Sequence, residues 1–165
     1  MPRDWLSGGD QPLMSDSIWK PHTTVAAMVE QDGKFLLVKE NVKGEVVYNQ
    51  PAGHLEPDES LLEAVVRETR EETLLEFKPV ALQGIYRFVA DSSPDSSYIR
   101  FLFRGTVGEK FDGALDEGII SVEWMSYEEI RACREQHRSP LVQQCVEDYL
   151  YQSPCPLEVI SQIFA

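Results

Sequence analysis

Gly53-His54-Leu55-Glu56-Pro57-Asp58-Glu59-Ser60-Leu61-Leu62-Glu63-Ala64-Val65-Val66-Arg67-Glu68-Thr69-Arg70-Glu71-Glu72-Thr73-Leu74-Leu75 is the stretch on which the fold of this chain turns. Pro51 and Pro57 bracket its first part and exclude a helix there, so it reads as a loop with room for a short strand. From Asp58, a good N-cap, Leu61, Leu62, Val65 and Val66 recur at helical spacing and predict a helix to about Thr73. Those apolar residues would dock the helix on a core. On its polar side Glu68, Glu71 and Glu72 are three and four residues apart and can point the same way. Like charges at that spacing repel and raise one another's pKa unless a cation compensates. Mg²⁺ is such a cation: it takes oxygen ligands and commonly binds one or two carboxylates plus substrate phosphates.

A bare E-x-x-E-E is most often a solvated face. Here it stands in register with Gly53, Glu59 and Arg67, giving G-x₅-E-x₇-R-E-x-x-E-E. Six such residues fall in register by chance on the order of one time in 10⁴.

Working outward, Thr23 to Val29 reads as a buried strand, Asp32-Gly33 as a turn, and Phe35 to Val38 as the second strand of a hairpin. Val46 to Tyr48 is a short third strand. After the helix come strands at Val80 to Ala90, Tyr98 to Val107 and Ile119 to Trp124, with a polar loop over Asp91 to Ser97. Ser126 and Glu129 form a capping-box pattern that opens a helix. Ser139-Pro140 opens a last helix running to about Tyr151. The expected fold class is α/β, with a mixed β-sheet and helices on both faces. Residues 1–18 show no hydrophobic period and read as a flexible N-terminal extension, with Met14 an alternative start. The folded domain is expected over 19–165.

The 165 residues suffice for one domain with a core of its own. Their 28 Asp plus Glu against 15 Lys plus Arg give a formal charge of −13. Such a surface repels nucleic-acid polymers and anionic membranes, whose binding rests on Lys and Arg. It also repels a small phosphorylated substrate unless divalent cations sit at the site. Cys133, Cys145 and Cys155 are odd in number, form no CxxC pair and read as reduced thiols. No apolar run approaches membrane-spanning length and no signal peptide is visible, so the expected location is cytoplasmic.

The segment from Gly53 to Leu75 resembles the Nudix box, the loop–helix–loop that holds catalytic metal in Nudix hydrolases. Thr69 takes a slot that is usually aliphatic. Leu74 replaces a glycine that commonly ends the helix in a left-handed conformation, so the helix is expected to run longer or to leave by another path. The likeness continues through Trp19 to Ala26, Asn49 to Glu56, Arg100 to Phe103, Arg138 to Val142 and Pro156 to Glu158, which resemble the NudJ-type phosphatases of that family.

This resemblance implies a Nudix fold, an α/β/α sandwich. It implies a hydrolase of phosphoanhydride bonds that releases phosphate from nucleoside di- and triphosphates, thiamine diphosphate and hydroxymethylpyrimidine diphosphate. Mg²⁺ is the implied cofactor, with Mn²⁺ a possible substitute, and a monomer the implied state. Glu68 and Glu72 become metal ligands, Glu71 a ligand or the base that orients the attacking water, and the backbone carbonyl of Ala52 a further ligand. Arg67 is grouped with the catalytic residues as the guanidinium that pairs with Glu59 and fixes the helix on its loop beside Gly53. Asp116 and Glu117 are candidates for an additional acid, with Glu117 counted among the metal ligands. Asn49, Arg100 and Lys20 are candidate substrate-binding residues, and Arg100 could reach a phosphate. Tyr48 and Tyr86 read as packing residues rather than base-stacking ones, and His54 as loop structure. A dinucleotide or nucleotide-sugar pyrophosphatase, a decapping enzyme and a non-catalytic nucleotide-binding module of the same fold remain alternatives.

Overall fold

The computed structural model describes residues 18–90 and 94–163. The expected N-terminal extension therefore lies, but for Ile18, outside the described residues. Strands β1 (His22–Gln31), β2 (Lys34–Val42), β3 (Glu45–Asn49) and β4 (Ala52–His54) precede helix α1 (Leu61–Thr73). Then follow β5 (Leu75–Val89), β6 (Ser97–Lys110), β7 (Ile119–Ser126), α2 (Tyr127–Ala132), α3 (Leu141–Tyr151) and the short β8 (Cys155–Pro156). The main path of the sheet runs β3-β2-β1-β6-β5-β8, with β4 on β1 and β7 on β2. Among the described strand pairings the β1–β6 one alone is parallel, so the sheet is mixed as expected.

The continuous apolar run of β1 is explained by burial on both faces. Val25, Ala27 and Val29 pack with Leu36, Phe103 and the α1 residues Ala64 and Val65. Their alternates Ala26 and Met28 pack with Phe35, Leu102, Ile130 of α2 and Val142, Cys145 and Val146 of α3. Two cores on opposite faces of one sheet make the three-layer α/β/α sandwich.

Three local expectations are corrected. Helix α1 is capped by Ser60, not Asp58. The Ser60 Oγ accepts from the Glu63 N–H at 3.0 Å and the Glu63 carboxylate accepts from the Ser60 N–H at 2.7 Å. This reciprocal pair outcompetes a single cap. Asp58 instead takes a left-handed turn conformation (φ 66°), which Asp tolerates.

At the other end the helix stops at Thr73, and Leu74 itself adopts the left-handed conformation (φ 60°, ψ 20°) of the glycine it replaces. That costs about 1–2 kcal/mol. Its N–H donates to the Arg70 carbonyl at 2.8 Å and its carbonyl accepts from the Phe111 N–H at 2.7 Å, which holds the turn. The chain thus enters β5 at Leu75, five residues before the expected Val80. Pro79 lies at a break in the β5–β6 register, where a missing N–H is tolerated.

The connection between α2 and α3 is tied across to β3 by the Arg138 N–H, which donates to the Tyr48 carbonyl at 2.9 Å. Gln50 is fully buried, and its Nε2 donates to the Val142 carbonyl of α3 at 2.8 Å. These two ties fix one wall of a cavity whose floor is the sheet.

Candidate active site

Arg67 is the hub of the acidic face of α1. Its Nε and Nη2 donate to the two oxygens of Glu59 at 2.9 and 2.7 Å, the bidentate pair expected from the sequence. Nη2 also donates to the His54 carbonyl at 3.0 Å, which binds the helix to the loop before it. Nη1 donates to Glu68 at 2.8 Å and to Glu71 at 3.0 Å. The Arg67 hydrogen bonds hold the Glu59 carboxyl below its usual pKa, and the same bonds, Glu59 first, raise that of Arg67.

Glu72 faces inward. Burial pushes its pKa up to about 8, the charges of Glu68, Glu40 and Asp116 add to the rise, and the Ala52 N–H opposes it from 2.9 Å. Among the described residues no Lys or Arg forms an ion pair with Glu72. Glu68 is raised by burial as well, against the pull of Arg67. Gly53 lies directly beneath Glu68, where a Cβ on residue 53 would occupy the space of the Glu68 carboxylate. The glycine of the motif is therefore a matter of volume: it leaves room for an acid.

These oxygens suit a hard divalent cation, since a buried carboxylate ringed by acids and lacking a cation is what such an ion would satisfy. Among the described residues no group of three or more Asp, Glu, His or Cys side chains is gathered so as to hold a metal ion by itself. Mg²⁺ does not ask for one, because it keeps several waters and shares substrate phosphates.

The other candidate residues divide. Ala52 joins the cluster through its N–H. Asp116 hangs on α1, its N–H donating to the Glu71 carbonyl at 3.0 Å, and its charge acts on Glu68 and Glu72. Glu117 is exposed, and among the described residues no hydrogen bond or ion pair ties it to the cluster. Glu40 of β2, which the sequence did not single out, is brought in by the sheet; its side chain is 13% exposed and pairs with Arg138 at 3.2 Å. The available signal was weak, an acid two residues past the four buried apolar positions of β2.

Ala52 and Gly53 also line a cavity of about 940 Å³ between the sheet and the α2–α3 segment, so the cavity opens beside the α1 acids. Asn49 and Arg100 line it as well; Lys20 is exposed ahead of β1 and does not. Tyr86 donates to Asp148 at 2.7 Å and packs on the core, and Tyr48 packs there too, both as expected. His54 lines the cavity, its pKa lowered by burial and then by His22.

A family model described as NUDIX domain matches residues 20–145. The chain is 39% identical over 145 residues to "Phosphatase NudJ" of Escherichia coli (strain K12), covering 87% of this chain and 92% of that protein. The NudJ phosphatase of Shigella flexneri matches with the same figures. A solved NUDIX hydrolase from Nitrosomonas europaea is 46% identical and superposes with a TM-score of 0.83 over 87% of this chain and 98% of its own. The MutT protein from Methanosarcina mazei Go1 is 28% identical, with a TM-score of 0.63 over 83% of this chain and 100% of its own.

Proposed function

The chain belongs to the NUDIX hydrolase family, and from that premise we propose that it is a Mg²⁺-dependent phosphatase of nucleoside di- and triphosphates and related small diphosphates. Thiamine diphosphate and hydroxymethylpyrimidine diphosphate fall within that class. The observation that carries the proposal is Glu72, a buried carboxylate beside Glu68 with no cation of its own, at the edge of a cavity large enough for a nucleotide.

Glu68 and Glu72 would hold the cation, with Glu71 and the Ala52 carbonyl completing the protein's share; Mn²⁺ would serve in place of Mg²⁺. Bound there, the cation supplies Lewis acidity toward the phosphate oxygens. Glu71 or Glu68 accepts the proton of the attacking water as it reaches phosphorus. Arg67 acts by position: it locks the carboxylates of α1 to Glu59 and the His54 carbonyl. Asp116 is favoured over Glu117 as the additional acid, because its charge acts on Glu68 and Glu72. Asn49 and Arg100 bind substrate inside the cavity, and Lys20 could act only from outside it.

The net charge of −13 favours small substrates over nucleic-acid polymers. Among the described residues no helix is long and apolar enough to cross a membrane. A cytoplasmic monomer is the state in keeping with this reading.

The test is phosphate release with Mg²⁺ from nucleoside di- and triphosphates and the two vitamin-related diphosphates, with Glu72→Gln as control. Orthophosphate from several of them, absent in the control, supports the proposal. Nucleoside monophosphate released only from dinucleotides or nucleotide sugars would move the substrate to the pyrophosphatase class. Equal turnover by Glu72→Gln would refute the metal site.

A further inference from the structure

Residues that line the cavity carry a set of unmet polar atoms. Among the described residues, seven of the eight buried side-chain nitrogen and oxygen atoms without a hydrogen-bond partner belong to residues that line it. Two are donors, Nε and Nη1 of Arg100. Four are oxygens able to accept, on Thr24, Glu40, Asn49 and Gln143, and the last is Nδ1 of His137. A buried polar atom left without a partner costs about 1–3 kcal/mol, so a set of this size describes what the cavity is shaped to receive.

A phosphate is a poor match. It offers acceptors alone, which would serve Arg100 but leave the Glu40, Asn49 and Gln143 oxygens facing further oxygens. Burial already works against the charge of Arg100, while Glu40 and Glu72 are among the acids whose fields reach it. A dianionic group beside that guanidinium would meet the repulsion of those acids. Two further arginines line the cavity, Arg134 and the Arg138 that pairs with Glu40.

A nitrogen heterocycle matches in three respects. It has a ring nitrogen or carbonyl to accept from Arg100, an amino group or ring N–H for the acceptors, and a flat face. For that face the cavity supplies a wall of Phe88, Tyr98 and His54. Tyr98 is held in place by stacking on His22, with ring centroids 5.1 Å apart and 26° between planes. The Arg100 backbone is equally fixed, since Thr24 is its partner across the parallel β1–β6 ladder and pairs with His54 on its other side.

We propose that this cavity reads the ring of the substrate, with Arg100 and Glu40 as the donor and acceptor that determine specificity, while the phosphates lie toward α1. The inference rests on the hydrolase reading for the orientation, but its own test does not need turnover.

The full chain is titrated with phosphate-free nucleosides (cytidine, guanosine, adenosine) and, separately, with the ring-free anion tripolyphosphate in the presence of Mg²⁺. Binding is followed by NMR shifts of the protein. At least one nucleoside binds the wild type, and Arg100→Gln and Glu40→Gln each weaken it by about ten- to a hundredfold. Tripolyphosphate affinity falls by a much smaller factor in Arg100→Gln. Melting curves establish that both variants are folded, and Arg100→Lys, which keeps the charge but not the planar fork, serves if Gln is not tolerated. Failure of every nucleoside to bind, or an Arg100→Gln loss for tripolyphosphate as large as for the nucleoside, overturns the inference. Nucleoside binding with no phosphate released from any substrate would leave it standing and sink the proposed function instead.

Discussion

Adding one methyl group at residue 53 should separate stability from activity in this protein. Gly53 is not among the residues with positive φ, so its backbone accepts alanine without strain. On its own that change reduces the freedom of the unfolded chain and adds about 0.4–1 kcal/mol of stability. The new Cβ, however, would lie well inside the 3.4–4 Å of ordinary contact with the Glu68 carboxyl carbon and both its oxygens. Glu68 is the far end of a flexible side chain and can withdraw, so the collision is relieved by moving the carboxylate rather than the backbone. A displacement on the order of 1 Å in a group that positions reactants costs about 10²-fold in rate. That corresponds to about 2.7 kcal/mol of lost transition-state stabilisation. Gly53→Ala should therefore melt within about 2–4 °C of the wild type while kcat/KM for phosphate release falls about a hundredfold. Shortening the displaced acid, in Gly53→Ala/Glu68→Asp, should return part of the rate. Full activity in Gly53→Ala would refute the view that this glycine exists to make room for Glu68.

Other consequences can be checked with simpler assays. Arg67→Ala releases the loop from α1; because the guanidinium is 24% exposed, the expected loss is about 1–2 kcal/mol, read from chemical denaturation. The hydrogen bonds from Arg67 lower the folded pKa of Glu59 beneath its usual 4.5. Its contribution is thus complete above that value and lost as pH falls through the depressed one. The stability gap between wild type and Glu59→Gln should accordingly be constant near neutrality and close in acid. Millimolar Mg²⁺ should raise the melting temperature of the wild type and not that of Glu72→Gln, through binding to the folded state alone. Without the cation Glu72→Gln should melt no lower than the wild type, since the carboxylate it replaces is buried without a cation partner. At the left-handed Leu74 position, Leu74→Val should lower the melting temperature, because a β-branched side chain suits that conformation least, whereas Leu74→Gly, which relieves the strain, should not.

What the sequence made legible was local. The α1 acids, Arg67 and Glu59 lie within fourteen consecutive residues; helical spacing brings the acids to Arg67, and Glu59 reaches it from the loop just before the N-cap. Strand β1 announced itself by an unbroken apolar run because both faces are covered. Boundaries set by competing short-range choices were less legible. Ser60 prevailed over Asp58 through a reciprocal bond with Glu63, and β5 was read late because Glu76, Lys78 and Pro79 disguise its first turn off the helix. The cavity was hardly legible at all. Thr24, Glu40, Arg100 and Gln143 come from β1, β2, β6 and α3 and meet only through sheet order, which no single segment encodes. Lys20, chosen for its neighbourhood in the chain, is left outside for the same reason.

The buried Gln50 amide has a further consequence, one of time. It joins residues 92 positions apart, whereas the Arg67–Glu59 pair spans eight. Contacts of short reach close quickly, and those that span long stretches wait on loop closure and on synthesis from the N-terminus. The acidic helix can therefore take shape long before α3 arrives to wall the cavity. A nascent or partly unfolded chain presents carboxylates without a chamber beside them, and the chamber is complete only once α3 has docked.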